Sequence, residues 1–465
     1  MGVAISNWRL ARAVAQAGQL GVVSGVGLSR VLISRLMDGD PGEHMRRALQ
    51  SFPFPAVVRD ILRRYYIPGG KPADAPYKVP PAYTIRPSRF LDQLTTIANY
   101  VEVWLAKEGH RGIVGINLLE KVQMPNLASL YGAMLAGVDY IIMGAGIPTQ
   151  VAGILDSLAH HQPVAYRLDL PGGAPESDVR IPYDPESVFP GLPQSVGPLQ
   201  RPQFLPIISS PVLAQALLKR STGSIQGFVV EAPIAGGHNA PPRGPLKLND
   251  QGEPIYGPRD AIDAAKMRDI GLPFWLAGGY AYPHRLQEAL DAGAAGVQVG
   301  TAFALCDESG LDEPLKASLL GQLLNGGASV RTSAVVSPTG FPFKVAQLAG
   351  TLSDETLYTA RPRVCDLGFL RTLYTKPDGS LGYRCPAEPV EAYVSKGGNA
   401  QDTVGRGCLC NNLFATAGYP QRRPDGYIER PLVTTGNDLA TVQQFIQPTQ
   451  TRYSAQDVIR HLLGC

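Results

Sequence analysis

One unit recurs along this chain, and it constrains the fold more than any other feature of the sequence. Each copy runs from an alanine-rich amphipathic stretch through a glycine into a short apolar burst and a second glycine. In the first copy, Asn7 can cap a helix and Gly18 can end it. Apolar strands without polar alternation are buried on both faces, which is typical of a parallel sheet covered by helices. We therefore predict an α/β fold. The clearest copies are "LARAVAQAGQLGVVSG", "LASLYGAMLAGVDYIIMGAG" and "LQEALDAGAAGVQVGTAF".

The number of candidate strands indicates how the sheet is arranged. Parallel strands joined by helices form either an open doubly wound sheet or an eight-stranded barrel. No G-x-G-x-x-G follows an early strand, so we predict a (β/α)8 TIM barrel. An opening strand is missing, because Met1 stands almost directly before the helix cap at Asn7; another segment, or residues upstream of Met1, would supply it. The seven predicted strands are 21–24, 113–119, 140–143, 204–209, 227–231, 273–277 and 296–299.

Some stretches depart from the repeat. We predict a barrel over residues 1–350 with a helical insertion at 31–110 after the second strand. A proline- and glycine-rich insertion at 171–202 follows "YRLDL", which can form a small hairpin with "VRIPY". Residues 351–465 lose the repeat, and we predict an irregular extension packed on the barrel, with a short helix near 455–463.

Composition excludes several classes of partner. The chain has 42 basic and 39 acidic residues, a formal net charge of +3, with both signs mixed along its length. A nucleic-acid surface usually shows as a concentrated basic patch, so we predict no nucleic-acid partner. No apolar run is long enough to cross a bilayer, and the N-terminus lacks a signal-peptide pattern. We predict a cytoplasmic protein with a small-molecule substrate and no membrane partner; the sequence does not indicate its oligomeric state.

The six cysteines have irregular spacing and include no C-x-x-C pair, which favours reduced thiols. Four of them, Cys365, Cys385, Cys408 and Cys410, could converge and would then suit zinc or an iron–sulfur cluster. A C-x-C pair alone is a weak signal, however, and small buried cysteines are common. We predict no metal.

Glycines at the ends of the last two predicted strands indicate a phosphate site. In barrels this position often holds phosphate, because glycine lets backbone N–H groups approach the oxygens. The alternative interpretation is that these glycines only form ordinary strand-to-helix turns and bind no ligand. His238 follows the preceding strand at the same face of the barrel, where an imidazole suits proton transfer because its unperturbed pKa is near neutrality. The alternative is a structural histidine that only stabilises its loop by hydrogen bonds. The residues at the two strand ends are Gly278, Gly279, Gly300 and Thr301.

An ordered set of motifs resembles the nitronate monooxygenase family, formerly called 2-nitropropane dioxygenases, which are FMN-dependent TIM-barrel enzymes. The motifs are "MGVAISNWRLARAVAQAGQLGVVS", "GINLL", "EAPIAGGH", "FWLAGGYAYPHRLQEALDAGAAGVQVGTAF" and "RTSAVVSPTGFPF". They run in order from Met1 to about Phe343. The flavin-dependent enoyl-acyl carrier protein reductases are related to this family.

The resemblance implies a role for each matching residue. Gly278, Gly279, Gly300 and Thr301 would form the FMN phosphate cradle. Asn117 and Gln298 would meet the flavin ring or ribityl chain, and Met1 and Gly2 would lie under the isoalloxazine. His238 would act over the flavin as a base, or as an acid and orienting donor. "EAPIAGGH" is longer than the commoner form of its motif, and the long C-terminal extension is absent from short members; both leave the substrate open.

Three hypotheses about function, from different classes, remain open. The leading one is oxidation of alkyl nitronates with dioxygen to a carbonyl compound and nitrite. The second uses NAD(P)H to reduce the flavin, which then reduces an enoyl thioester or a quinone. The third is a phosphate-binding barrel without flavin.

Overall fold

Seven parallel strands form the central sheet of this protein. The structure, a computed structural model, describes residues 2–171 and 178–464. Each strand of the sheet is hydrogen-bonded to the next in the order β1-β2-β3-β6-β7-β8-β9. These seven are the seven strands predicted from the repeat. The strands are β1 Gly21–Ser24, β2 Val114–Leu119, β3 Tyr140–Gly144, β4 Val164–Arg167, β5 Arg180–Tyr183, β6 Gln203–Ile208, β7 Phe228–Glu231, β8 Phe274–Ala277, β9 Gly296–Gln298, β10 Val330–Ser333, β11 Phe343–Ala346, β12 Thr372–Thr375 and β13 Leu381–Arg384.

Helices connect and cover the strands. Four of them, α2 to α5 in the list below, lie between β1 and β2, and the last one confirms the short helix predicted near the end of the chain. The helices are α1 Trp8–Gln16, α2 Leu28–Met37, α3 His44–Gln50, α4 Pro55–Tyr65, α5 Arg89–Lys107, α6 Asn126–Leu135, α7 Val151–Ala159, α8 Pro185–Val188, α9 Leu192–Val196, α10 Pro211–Arg220, α11 Ala264–Arg268, α12 Pro283–Asp291, α13 Thr301–Ala304, α14 Glu313–Leu324, α15 Glu355–Ala360, α16 Val390–Ser395, α17 Leu409–Thr416, α18 Ala440–Gln443 and α19 Ala455–Leu463, with 3-10 turns at Pro41–Glu43, Pro258–Asp260 and Ala400–Thr403.

Local sequence explains where the first helix begins and ends. Asn7 Oδ1 accepts hydrogen bonds from the backbone N–H groups of Arg9 and Leu10 at 2.8 and 3.1 Å, so it satisfies two donors that a helix leaves free. After the helix, Gly18 has φ +78°, a conformation that glycine adopts without steric cost. The chain then enters β1 within three residues, as the repeat predicts.

The interior of the sheet shows that it curls around a common core. Ile142, Leu205, Val229 and Ala277, from four different strands, form one buried cluster, and Val22 of the edge strand β1 packs against it. The predicted α/β barrel architecture is confirmed. β1 and β9 are the two edges of this sheet, and among residues 2–171 and 178–464 no strand joins them, so the opening position of the barrel is not filled there.

Outside the central sheet, the described residues form three antiparallel hairpins. The β4–β5 pair confirms the hairpin predicted for "YRLDL" and "VRIPY". The β10–β11 pair and the β12–β13 pair follow the last strand of the sheet. Beyond them, Val442 and Ile459 belong to the same buried core as Leu10 of α1, so the end of the chain packs on its beginning. None of the helices in the described part of the chain is both long and apolar enough to span a bilayer.

Candidate functional site

A large cavity of about 580 Å³ opens in the interior of the curled sheet. Specific small-molecule pockets usually measure about 300–1,000 Å³. The structure brings together every described residue that the sequence assigns to the site, although Met1 lies outside the described residues. The predicted residues that line the cavity are Gly2, Asn117, His238, Gly278, Gly279, Gln298, Gly300 and Thr301.

Glycines form one wall of this cavity, and the chain geometry requires them at two positions. Gly278 and Gly279 have φ +95° and +78°, and a Cβ at Gly279 would lie 2.5 Å from Cδ1 of Ile234. Gly300 differs, because its φ is −115° and a Cβ there would meet no atom of the described residues within 4 Å. Gly300 therefore faces open space, and its backbone is accessible to a ligand in the cavity.

His238 is held between hydrogen bonds on one side and aromatic rings on the other. Its Nε2 lies 2.7 Å from Ser337 Oγ, which in turn lies 2.7 Å from Thr339 Oγ1. The imidazole packs edge-on against Phe343 with ring centroids 4.8 Å apart, and the two residues also form a backbone bridge. These contacts fix the ring in the cavity wall.

Burial sets the charge of His238. It lowers the pKa of the imidazole to about 4, since a cation would lose its hydration there. The ring is therefore neutral at pH 7. When Nε2 donates its proton to Ser337 Oγ, and Ser337 donates to Thr339, Nδ1 keeps a lone pair and can act as a base.

A carboxyl group lies at the end of β7, in the same cavity wall. Burial raises the pKa of Glu231 to about 7, and the Oε1 atom accepts a hydrogen bond from Asn239 Nδ2 at 3.4 Å. Burial likewise lowers the pKa of the nearby Lys344 to about 8, and its ammonium group donates to Thr332 Oγ1 at 2.7 Å. Glu231 can thus hold or release a proton near neutral pH.

The C-terminal extension contributes directly to the site. Thr434 Oγ1 accepts the backbone N–H of Gly237 at 3.0 Å, and Thr301 Oγ1 accepts that of Gly436 at 2.9 Å. One short segment therefore binds both the His238 loop and the start of α13.

Sequence reasoning did not identify several of these residues as part of the site. Ser337 and Thr339 lie in "SPTGFPF", and Glu231 is the first residue of "EAPIAGGH". Their polar side chains, within motifs already assigned to the site, were a signal that could have identified these three residues. Thr434 and Gly436 stand in no such motif. Nothing in their local sequence signals contact with residues more than 130 positions away.

Comparison with known proteins relates one segment of this chain to a protein family. Residues 200–331 match the family model described as nitronate monooxygenase. That segment resembles nitronate monooxygenases. The match confirms the resemblance over this part of the chain, which contains His238 and both glycine strand ends. No curated protein sequence matches the chain.

Three solved structures align with most of this chain at low similarity. FabK from Thermotoga maritima has 13% identity and a TM-score of 0.43, with 99% of this chain and 88% of that chain covered. A nitroalkane oxidase from Streptomyces ansochromogenes has 15% identity and a TM-score of 0.45, with 100% and 93% covered. The enoyl reductase domain of MlnA from Bacillus amyloliquefaciens has 12% identity and a TM-score of 0.47, with 100% and 92% covered. At this level of similarity, none of the three indicates what this chain acts on.

Proposed function

We propose that this protein is an FMN-dependent oxidoreductase that oxidises alkyl nitronates with dioxygen to a carbonyl compound and nitrite. The observation that carries the proposal is the joint position of neutral His238 and the glycine wall in one cavity, inside the segment that matches the nitronate monooxygenase model. The partners in this proposal are a small-molecule substrate and dioxygen, and the reaction needs neither a nucleic acid nor a membrane.

The residues present suit FMN. The open space before Gly300 lets backbone N–H groups at the start of α13 approach phosphate oxygens, and the dihedrals of Gly278 and Gly279 turn the neighbouring strand end sharply. Asn117 and Gln298 place amide groups along the cavity wall, where they can bond to a polar ring edge or a sugar-alcohol chain. Gly2 lies in the same wall, and we assign it to the flavin face.

The chain's own residues would manage the substrate proton. FMN, when bound, would accept the substrate's electrons and pass them to dioxygen. Neutral His238 would take the proton from the carbon next to the nitro group when the substrate enters as the neutral nitroalkane. Ser337 and Thr339 would hold the imidazole in the tautomer that leaves Nδ1 free. The apolar side chains of Ile142, Leu205 and Val229 would keep bulk water from the reacting carbon.

The visible spectrum of the purified protein tests this function. We expect bound FMN that bleaches under anaerobic conditions when a nitronate is added, and nitrite formation once air is admitted. Bleaching by NAD(P)H with no nitrite from any nitronate would replace the proposal with reduction of an enoyl thioester or a quinone. A colourless protein that takes up no added FMN would favour a phosphate-binding barrel without flavin.

A further inference from the structure

One part of the cavity wall is built from large apolar side chains. Some of them stand at the ends of barrel strands or in the β10–β11 hairpin, and the others belong to the C-terminal extension. We call the part of the cavity that they line the apolar chamber. The extension therefore supplies a wall of the cavity as well as hydrogen bonds to the site. The residues that line the apolar chamber are Val26, Leu119, Phe343, Phe369, Leu409 and Leu413.

The apolar chamber adjoins His238. Phe343, whose ring centroid lies 4.8 Å from that of the imidazole, belongs to the same cluster of contacting apolar side chains as Leu409. Leu119 and Leu413 pack against this cluster, yet both are only partly buried and both line the cavity. They thus present apolar surface to a molecule that reacts beside His238.

Hydrogen bonds fix the extension's wall relative to the histidine. Arg406 Nη1 donates to the carbonyl oxygen of Ser337 at 2.6 Å, and the N–H of Gly407 donates to that of Val336 at 2.9 Å. Ser337 is also the residue that bonds to His238. Because α17 begins just after Gly407, its leucines have a fixed position with respect to the proposed base.

Two aromatic rings of the extension lie against the end of β1. Phe369 and Phe414 have ring centroids 6.1 Å apart, and both line the cavity. Gly27 has φ +72°, and a Cβ there would lie 2.7 Å from Cζ of Phe414. The absence of a side chain at this position lets the rings pack directly on the backbone that follows the strand.

Charge limits the molecules that this cavity can accept. Among the described residues, no lysine or arginine lines the cavity, and the acidic side chains that line it are those of Glu231 and Asp438. A carboxylate at the far end of a substrate would lose its hydration there without gaining a cationic partner. An alkyl chain, in contrast, gains transfer free energy with every CH₂ group that it buries.

We propose that the substrate carries an uncharged apolar tail of several carbons, which lies in the apolar chamber, and that Phe369, Leu409 and Leu413 of the C-terminal extension determine this specificity. The inference rests on the proposed function, because it places the reacting carbon at His238. Nitronates whose tail ends in a carboxylate are then poor substrates.

A series of nitronates tests the specificity of the wild-type holoenzyme. Oxygen uptake is measured with the nitronates of nitrobutane, nitrohexane and nitrooctane, and with that of the nitrohexanoate whose carboxylate is farthest from the nitro group. We expect kcat/KM to rise about fourfold for each added CH₂. The nitrohexanoate should be at least about 100-fold poorer than nitrohexane, because its charge is left unpaired. Equal kcat/KM along the alkyl series, or a nitrohexanoate as good as nitrohexane, would overturn the proposal.

A charged side chain in the apolar chamber should reverse the preference. Leu413→Lys should lower kcat/KM for nitrohexane and raise it for the nitrohexanoate. Leu357→Lys is the matched control, because Leu357 packs against the same apolar cluster but does not line the cavity, and it should keep the wild-type ratio. An unchanged ratio in folded Leu413→Lys would overturn the assignment. If that variant does not fold, the wild-type series still decides whether the tail is apolar.

Binding of unreactive probes separates this proposal from the proposed function. The protein as purified is titrated calorimetrically with butanol, hexanol, octanol and hexanoate. Affinity should rise about fourfold for each CH₂ of the alcohols, and hexanoate should bind at least about 100-fold more weakly than hexanol. Leu413→Lys, but not Leu357→Lys, should weaken the binding of hexanol.

The two failures then give different results. If the alcohols bind in this way and no nitronate is oxidised, the apolar chamber stands and the proposed function is wrong. If nitronates are oxidised but the affinity for alcohols does not depend on their length, the oxidation stands and the specificity assigned to the extension is wrong.

Discussion

Replacing Gly300 with valine tests the phosphate end of the proposed flavin site. A side chain at this position would project into open space, since a Cβ meets no described atom within 4 Å. The backbone there has φ −115°, which any L residue adopts. The substitution should therefore change the free energy of unfolding of the flavin-free protein by no more than about 0.5 kcal/mol.

The effect on FMN should be much larger. Hydrogen bonds to a charged group contribute about 1.5–3 kcal/mol each, and a branched side chain in front of Gly300 would displace the phosphate from at least two N–H donors. The loss of about 3–6 kcal/mol corresponds to a fall in affinity of at least about 100-fold.

Titration of the flavin-free protein with FMN, followed by quenching of flavin fluorescence, measures that affinity. Thermal melting without FMN measures the stability of the same samples. Gly321→Val is the matched control, because Gly321 lies in α14, away from the cavity, and a Cβ there also finds no neighbour within 4 Å. If Gly300→Val and Gly321→Val bound FMN as tightly as wild type, the phosphate would not lie at Gly300.

Three further outcomes are expected. The variant His238→Ala should keep its flavin, but its turnover of the neutral nitroalkane should fall by about 10²- to 10⁴-fold; an unchanged rate per flavin would exclude His238 as the base. Because the pKa of His238 lies near 4, the turnover of the wild type should not decline on the acid side near pH 6.5. Burial raises the pKa of Glu231 from 4.5 to about 7, so the folded state binds this proton more tightly than the unfolded state. The stability that comes from this proton is complete below pH 4.5 and is lost as pH rises through 7. Between pH 4.5 and 8, denaturant unfolding should show wild type losing up to about 3 kcal/mol more than Glu231→Gln, and parallel pH profiles would contradict this. Ser88 Oγ accepts the N–H of Leu91 and caps the 19-residue helix α5, so Ser88→Ala should cost about 1 kcal/mol in the same assay, and no change in the unfolding midpoint would refute the capping role.

The sequence predicted the central sheet well because the information is local. A helix cap such as Asn7, a terminating glycine such as Gly18 and an unbroken apolar burst all act within one repeat. The glycine wall followed from the same pattern, since Gly278 and Gly300 stand immediately after predicted strands.

The parts of the site that sequence reasoning missed depend on contacts between distant residues. His238 and Ser337 are 99 positions apart, and no periodicity links them.

The bonds made by Thr434 and Gly436 have a consequence for the order in which the site is assembled during synthesis. Gly237 leaves the ribosome 197 residues before the threonine that holds it. At about 5–20 residues per second, the His238 loop waits roughly 10 to 40 s for its anchor. Nascent chains released before residue 434 would carry the whole central sheet yet lack the anchor for both the histidine loop and the start of α13. The protein should therefore bind the proposed FMN only as translation ends.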